Sequence, residues 1–143
     1  MAISYKEGYI LGMTSESLNL KPFRQALEAL QRALSQPKTE FLRDSVIQRF
    51  EFTYELAWKA LKRYLEQEEG LENVDALPRR DLYRMAAEKR LIGDPTVWFA
   101  YHLARNETVH TYQEAKAEEV YTIAGYFVND AENLLRSLEE RLT

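Results

Sequence analysis

From Leu20 onward the apolar positions Leu20, Phe23, Leu27, Leu30 and Leu34 advance by three or four residues. That spacing lines one face of an α-helix. Asn19 stands where a capping side chain belongs, Pro22 is tolerated in a first turn, and Pro37 closes the segment. Thr39 is placed to cap a second helix, whose stripe runs Leu42, Val46, Phe50, Thr53, Ala57, Leu61 and then Tyr64 or Leu65, stopping before Gly70. A helix of roughly seven or eight turns is long for an average domain and suits a bundle or a helix-mediated dimer.

Pro78 introduces a third helix, expected over 80–90, with Leu82, Met85 and Ala86 on its inner face. Gly93 punctuates its end. Asp94 followed by Pro95 is a cap with proline at the first helical position, opening a fourth helix that carries Val97, Trp98, Tyr101 and Arg105. A fifth begins near Gln113 and reaches Leu142, with Val120, Ala124, Phe127, Ala131, Leu134 and Leu138 on one side. No segment alternates with the period of two that a half-buried strand requires. The pattern predicts an all-α, up-and-down bundle of about five helices, two of them long. Residues 1–17 hold no sustained period and are expected to be a loosely ordered tail, leaving 18–143 as a single helical domain.

Composition agrees with this picture. An apolar fraction of 45% and a charged fraction of 29% belong to a globular chain. Five glycines and four prolines leave little turn material for a many-stranded sheet. The absence of cysteine excludes disulfides, thiolate zinc sites and a thiol nucleophile. No apolar run is long enough to span a membrane and no signal-peptide core is present, so a cytoplasmic protein is expected. The net charge of −4 means that any phosphate-binding role needs a local basic patch. Lys59, Lys62 and Arg63 form one such cluster and Arg79, Arg80 and Arg84 another, although each reads equally as a solvated helix face. Trp58, Trp98 and the tyrosines sit at helical spacing and are expected in the core or at an interface rather than on a base-stacking platform.

The segment ARNETVHTY, residues 104–112, concentrates the candidate chemistry. Histidine moves protons near neutral pH, and arginine forks onto phosphate oxygens. Without a metal, the pair suits cleavage of RNA by its own 2′-hydroxyl, with His110 handling the proton and Arg105 the charge on phosphorus. Asn106 could orient the histidine or a substrate oxygen, and Tyr112 stands beside the site. On an ideal helix Arg105 and His110 lie about 140° apart, whereas Arg105 and Tyr112, or Asn106 and His110, share a face. Arg105 and His110 meet only if the helix breaks or tightens between them, or if two copies of the segment face each other in a symmetric dimer. The plainer reading of such residues near a helix end is capping and solvation. His102 and His110 are eight apart, with no HxxxH, HExxH or cysteine partner, so no metal site is expected. No P-loop or GxGxxG is present.

Residues 105–112 match the Arg-x4-His-x-Tyr motif, and the chain resembles the HEPN-domain family, within it the branch of nucleotidyltransferase substrate-binding proteins. RDSVIQRFEFTYELAWKALK, residues 43–62, and DPTVWFAYHLARNETVHTY, residues 94–112, are similar to that branch's characteristic segments. The resemblance covers about residues 18–142. It implies a helical homodimer and a small MNT-type nucleotidyltransferase as partner; no cofactor and no membrane attachment are expected. It also implies a metal-independent ribonuclease toxin acting on RNA, with Arg105 and His110 catalytic, Asn106 supporting, and Tyr112 modified by AMP transfer from the antitoxin. A second implication is open: the chain as the non-catalytic substrate-binding half of a two-component nucleotidyltransferase, with Tyr112 lining a pocket. A third is a helical dimer whose motif has lost activity.

Overall fold

The computed structural model describes residues 18–143, and the expectation of a tail over 1–17 lies outside the described residues. Five α-helices follow in order: α1 Lys21–Leu34, α2 Glu40–Gln67, α3 Arg79–Glu88, α4 Pro95–Asn106 and α5 Glu114–Leu142. Two 3₁₀ turns, Val74–Ala76 and Glu107–His110, sit before α3 and after α4. The described residues contain no strand.

Local chemistry fixes most of these boundaries. The Leu42 N–H donates to Thr39 Oγ1 at 3.0 Å, so Thr39 caps α2. Asp94 Oδ1 accepts from the Thr96 N–H at 2.9 Å and from its hydroxyl at 2.7 Å, which starts α4 on the far side of Pro95. Leu20 occupies the capping position of α1 and makes no side-chain bond there, but the Lys21 N–H donates to Asn19 Oδ1 at 3.1 Å. Gly70, at φ 69°, turns the chain out of α2 while the Leu71 N–H reaches back to the Leu65 carbonyl at 3.1 Å.

α1 packs against α2 and α5, and α2 packs along α5; α3 and α4 form a hairpin whose α4 lies on α2 and α5. Every position of the stripe expected on α5 is buried, as are Phe23, Leu27 and Leu30 of α1 and Val46, Phe50, Thr53, Ala57 and Leu61 of α2. Phe127 is the hub. Its ring meets Phe50 at 5.2 Å (88°), Tyr101 at 5.2 Å (80°) and Trp98 at 5.8 Å (72°), edge-to-face contacts that tie α2, α4 and α5 together.

Helix α3 departs from its expected form in two ways. It stops at Glu88, because Arg90 takes the left-handed conformation at φ 64° and the Leu91 N–H closes back onto the Ala86 carbonyl. Its buried face is Leu82, Tyr83 and Ala86, with Met85 only partly covered. Tyr83 goes inside because its hydroxyl finds the hydroxyl of Tyr54 there, a partner that no periodicity reveals.

Candidate functional site at the end of helix α4

Helix α4 delivers Arg105 one residue before its end, and the chain then tightens into the 3₁₀ turn Glu107–His110. Two threonines build that turn. The Thr108 hydroxyl donates to the Arg105 carbonyl at 2.8 Å, and the Thr111 hydroxyl donates to the Thr108 carbonyl at 3.0 Å. These bonds satisfy carbonyls that a helix end otherwise leaves open and favour the tighter winding. Thr108 is itself buried and anchors the turn to the body. On the far side, Arg43 of α2, 5% exposed, donates to Glu114 at 2.5 Å and to Glu118 at 3.0 Å. The segment 107–113 is therefore held at both ends.

Arg105 turns towards α2. Its Nε lies 2.8 Å from Glu55 Oε2, in ion-pair contact but out of line for a hydrogen bond, and its Nη2 lies 3.4 Å from Glu51 Oε2. All three side chains are about one-third exposed, so water screens the pairs and each contributes little to stability. Their effect is to orient the guanidinium. His110 is exposed and sits against Tyr112, with ring centroids 6.2 Å apart at 67°. Tyr112 is 80% exposed, its hydroxyl accepting from the Gln113 amide at 3.3 Å.

Of the two ways in which one chain could bring Arg105 and His110 together, the winding does tighten, but not to that effect. At about 100° per α-helical residue and 120° per 3₁₀ residue, the turn carries His110 to a separation of roughly 160° from Arg105, further round than the roughly 140° of a regular helix. Nor do the face-sharing pairs of a regular helix form, since α4 stops at Asn106. The Asn106 amide lies 3.4 Å from His102 Nε2, not against His110, and Arg105 is turned to α2 rather than to Tyr112. Within one chain, His110 and Tyr112 are neighbours and Arg105 stands apart with Glu51 and Glu55.

A second group of polar residues adjoins Arg105. His102 stacks between Phe99 (5.6 Å) and Tyr54 (6.2 Å), with its Nδ1 buried and without a partner. Burial, and then the positive charge of Arg79, hold its pKa below that of a free histidine. Arg79 lies over Trp58, its Cζ 3.5 Å from the ring centroid, and donates to Tyr54 Oη at 2.9 Å. The Tyr54 and Tyr83 hydroxyls are bonded to each other, and burial pushes both phenols upward. Sequence reasoning weighed His102 only as a metal ligand and passed over Glu51 and Glu55. The carboxylates lie off the apolar stripe of α2, and the one available signal was their four-residue spacing, which puts both on a single face.

A family model described as "Nucleotidyltransferase substrate binding protein like" matches residues 18–140. The chain is 33% identical over 142 residues to a Haemophilus influenzae protein named probable ribonuclease HepT, covering 90% of this chain and 97% of the relative. A solved Haemophilus influenzae structure, described as showing the fold of a substrate-binding domain of a nucleotidyltransferase, superposes with a TM-score of 0.78 at 34% identity. It covers 85% of this chain and 99% of that one. A crystal structure from Thermus thermophilus gives a TM-score of 0.69 at 32% identity, covering 84% and 98%. The helical bundle, the motif at its α4 end and these likenesses agree: the chain belongs to the nucleotidyltransferase substrate-binding protein family, the HEPN branch that its motif resembles.

Proposed function

We propose that this chain is a metal-independent endoribonuclease, paired with a small MNT-type nucleotidyltransferase that silences it by transferring AMP to Tyr112. One observation carries the reading. The 3₁₀ turn and the two residues after it set His110 and Tyr112 side by side on an exposed edge, while Arg105, at the end of α4, is turned to Glu51 and Glu55 of α2. His110 takes the proton from an RNA 2′-hydroxyl as that oxygen bonds to phosphorus, and a proton is returned to the departing 5′-oxygen. A guanidinium steadies the negative charge on the phosphoryl oxygens.

Because Arg105 points away from His110 in one chain, the site is completed in a homodimer, where the arginine of one protomer serves beside the histidine of the other. Asn106 supports from the end of α4. An AMP group on Tyr112 would set an anion within reach of His110, where the RNA backbone must pass, and block it by charge and bulk. The exposure of Tyr112 suits access by a modifying enzyme.

A second reading draws on Arg105 already facing two carboxylates. In it the chain is the non-catalytic substrate-binding subunit of the nucleotidyltransferase. Purified chain incubated with total RNA in EDTA separates the two, once intact mass has shown Tyr112 unmodified. The ribonuclease cleaves under chelation, and His110→Ala lowers the rate by about 10²–10⁴-fold, the usual contribution of a general acid–base. Equal inertness of both proteins rejects the ribonuclease and leaves the binding subunit.

A further inference from the structure

The basic cluster Arg79, Arg80 and Arg84 does not act as a unit. Arg79, half-buried, is engaged by Trp58 and Tyr54. Arg80 and Arg84, one turn apart on the outer side of α3, line a pocket of about 200 Å³ with Pro95, Thr96 and Phe99 of α4. There the Arg80 guanidinium lies over the Phe99 ring, Cζ to centroid 4.0 Å. Arg84, exposed, touches half-exposed Asp81 through Nη1 alone, at 3.2 Å.

We infer that this pocket is a nucleotide subsite for single-stranded RNA, in which a base stacks on the Arg80 plane backed by Phe99 and the adjoining phosphate is held by Arg84. The inference rests on the ribonuclease reading and names where its substrate runs. An arginine held over an aromatic ring offers a planar cation backed by an apolar face, the kind of surface on which unpaired bases stack. A neighbouring guanidinium with free donors suits phosphate. Of the nearby carboxylates on α3 and before α4, Asp81 is paired with Arg84, while Asp94 stays ionised and turns its Oδ1 to the Thr96 N–H and hydroxyl.

Position supports the same occupant. Phe99, His102 and Asn106 follow one another at three and four residues, a single stripe of α4 that starts at the pocket and ends at the 3₁₀ turn bearing His110. The pocket and the end of α4 are roughly 10 Å apart along the helix axis at 1.5 Å per residue, a span of a few nucleotides. An acidic protein segment would meet the arginines too, but it has no use for the ring-backed plane or for the line to the motif. A duplex buries its base faces and cannot use the plane at all.

The test uses the full chain carrying His110→Ala, so that RNA survives, with a fluorescently labelled single-stranded RNA oligonucleotide in EDTA over a series of salt concentrations. Arg80→Ala with Arg84→Ala is expected to weaken binding at least tenfold and to reduce the salt slope by about one for each phosphate no longer neutralised. Arg80→Lys keeps the charge but not the plane. It should lose about tenfold in affinity with the salt slope unchanged, and it probes the plane without disturbing the Phe99 ring beneath it. Binding within twofold of the parent in these variants overturns the subsite, as does a parent that binds no RNA or one for which duplex RNA competes equally. So does loss of co-purification with the nucleotidyltransferase at full RNA affinity, which makes the pocket a protein dock. Wild-type cleavage alongside unchanged binding sinks the subsite alone. Arginine-dependent RNA binding by a chain that never cleaves sinks the ribonuclease and keeps the subsite.

Discussion

His102 shows how far a residue's surroundings can move it from its composition-table meaning. It lies between Phe99 and Tyr54 with an unpartnered Nδ1, and both burial and Arg79 oppose its protonation. Its folded pKa is therefore below the 6.5 of a free histidine. The unfolded chain binds this proton more readily, so stability falls as pH drops below about 6.5. A His102→Gln variant is expected to flatten the loss between about pH 7 and 5.5. Urea melts across that range check it, and an unchanged slope rejects the assignment. The carboxylates act elsewhere on the pH scale. Glu118, paired with Lys38 and Arg43, is held below 4.5, so its contribution is present at neutral pH and fades only at more acidic values. None of this was visible in the sequence, where His102 registered only as failing a metal spacing.

At the scale of elements, helix positions were legible because burial on one side of a helix imposes its period directly on the chain. Thr39, Asp94 and Pro95 gave starts, since capping is local chemistry between residues two or three apart. The end of α3 and the turn after α4 were not legible. Arg90 in the left-handed conformation carries no glycine to announce it, and the 3₁₀ turn depends on two threonine hydroxyls that could equally have faced water. That turn decides the candidate site, because it separates Asn106 from His110 and sets His110 beside Tyr112. Thr108→Val keeps the shape and removes the bond to the Arg105 carbonyl. It is expected to cost about 0.5–1.5 kcal/mol, the net worth of one such bond. A loss in RNA cleavage larger than this stability change explains would mark the turn as a positioning device, and a parallel small loss would mark it as ordinary packing.

For the whole molecule, the distribution of polar groups matters more than the net charge of −4. Among the described residues, no helix is long and apolar enough to cross a membrane. Phe41, Phe52, Leu103, Val109, Tyr112 and Tyr126 remain exposed on its surface. If the proposed site spans two protomers, sedimentation equilibrium should return twice the chain mass of 16.8 kDa. Mixing Arg105→Ala with His110→Ala chains should then restore partial RNA cleavage that neither has alone. A monomer at working concentration, or inert mixtures of exchanging dimers, would remove the shared site. The sequence by itself determined the helical class, the number of helices, the core faces of α1, α2 and α5, and the motif residues, because periodicity, capping and motif spacing are all written within a few residues of chain. Only the tertiary structure decided what those residues meet. It turned Arg105 onto Glu51 and Glu55, drew Arg79 onto Trp58 and left Arg80 on Phe99, and it buried Tyr83 against Tyr54. Each of these partners lies on another helix, and which side chain a polar group finds across a helix interface depends on packing that no local pattern records.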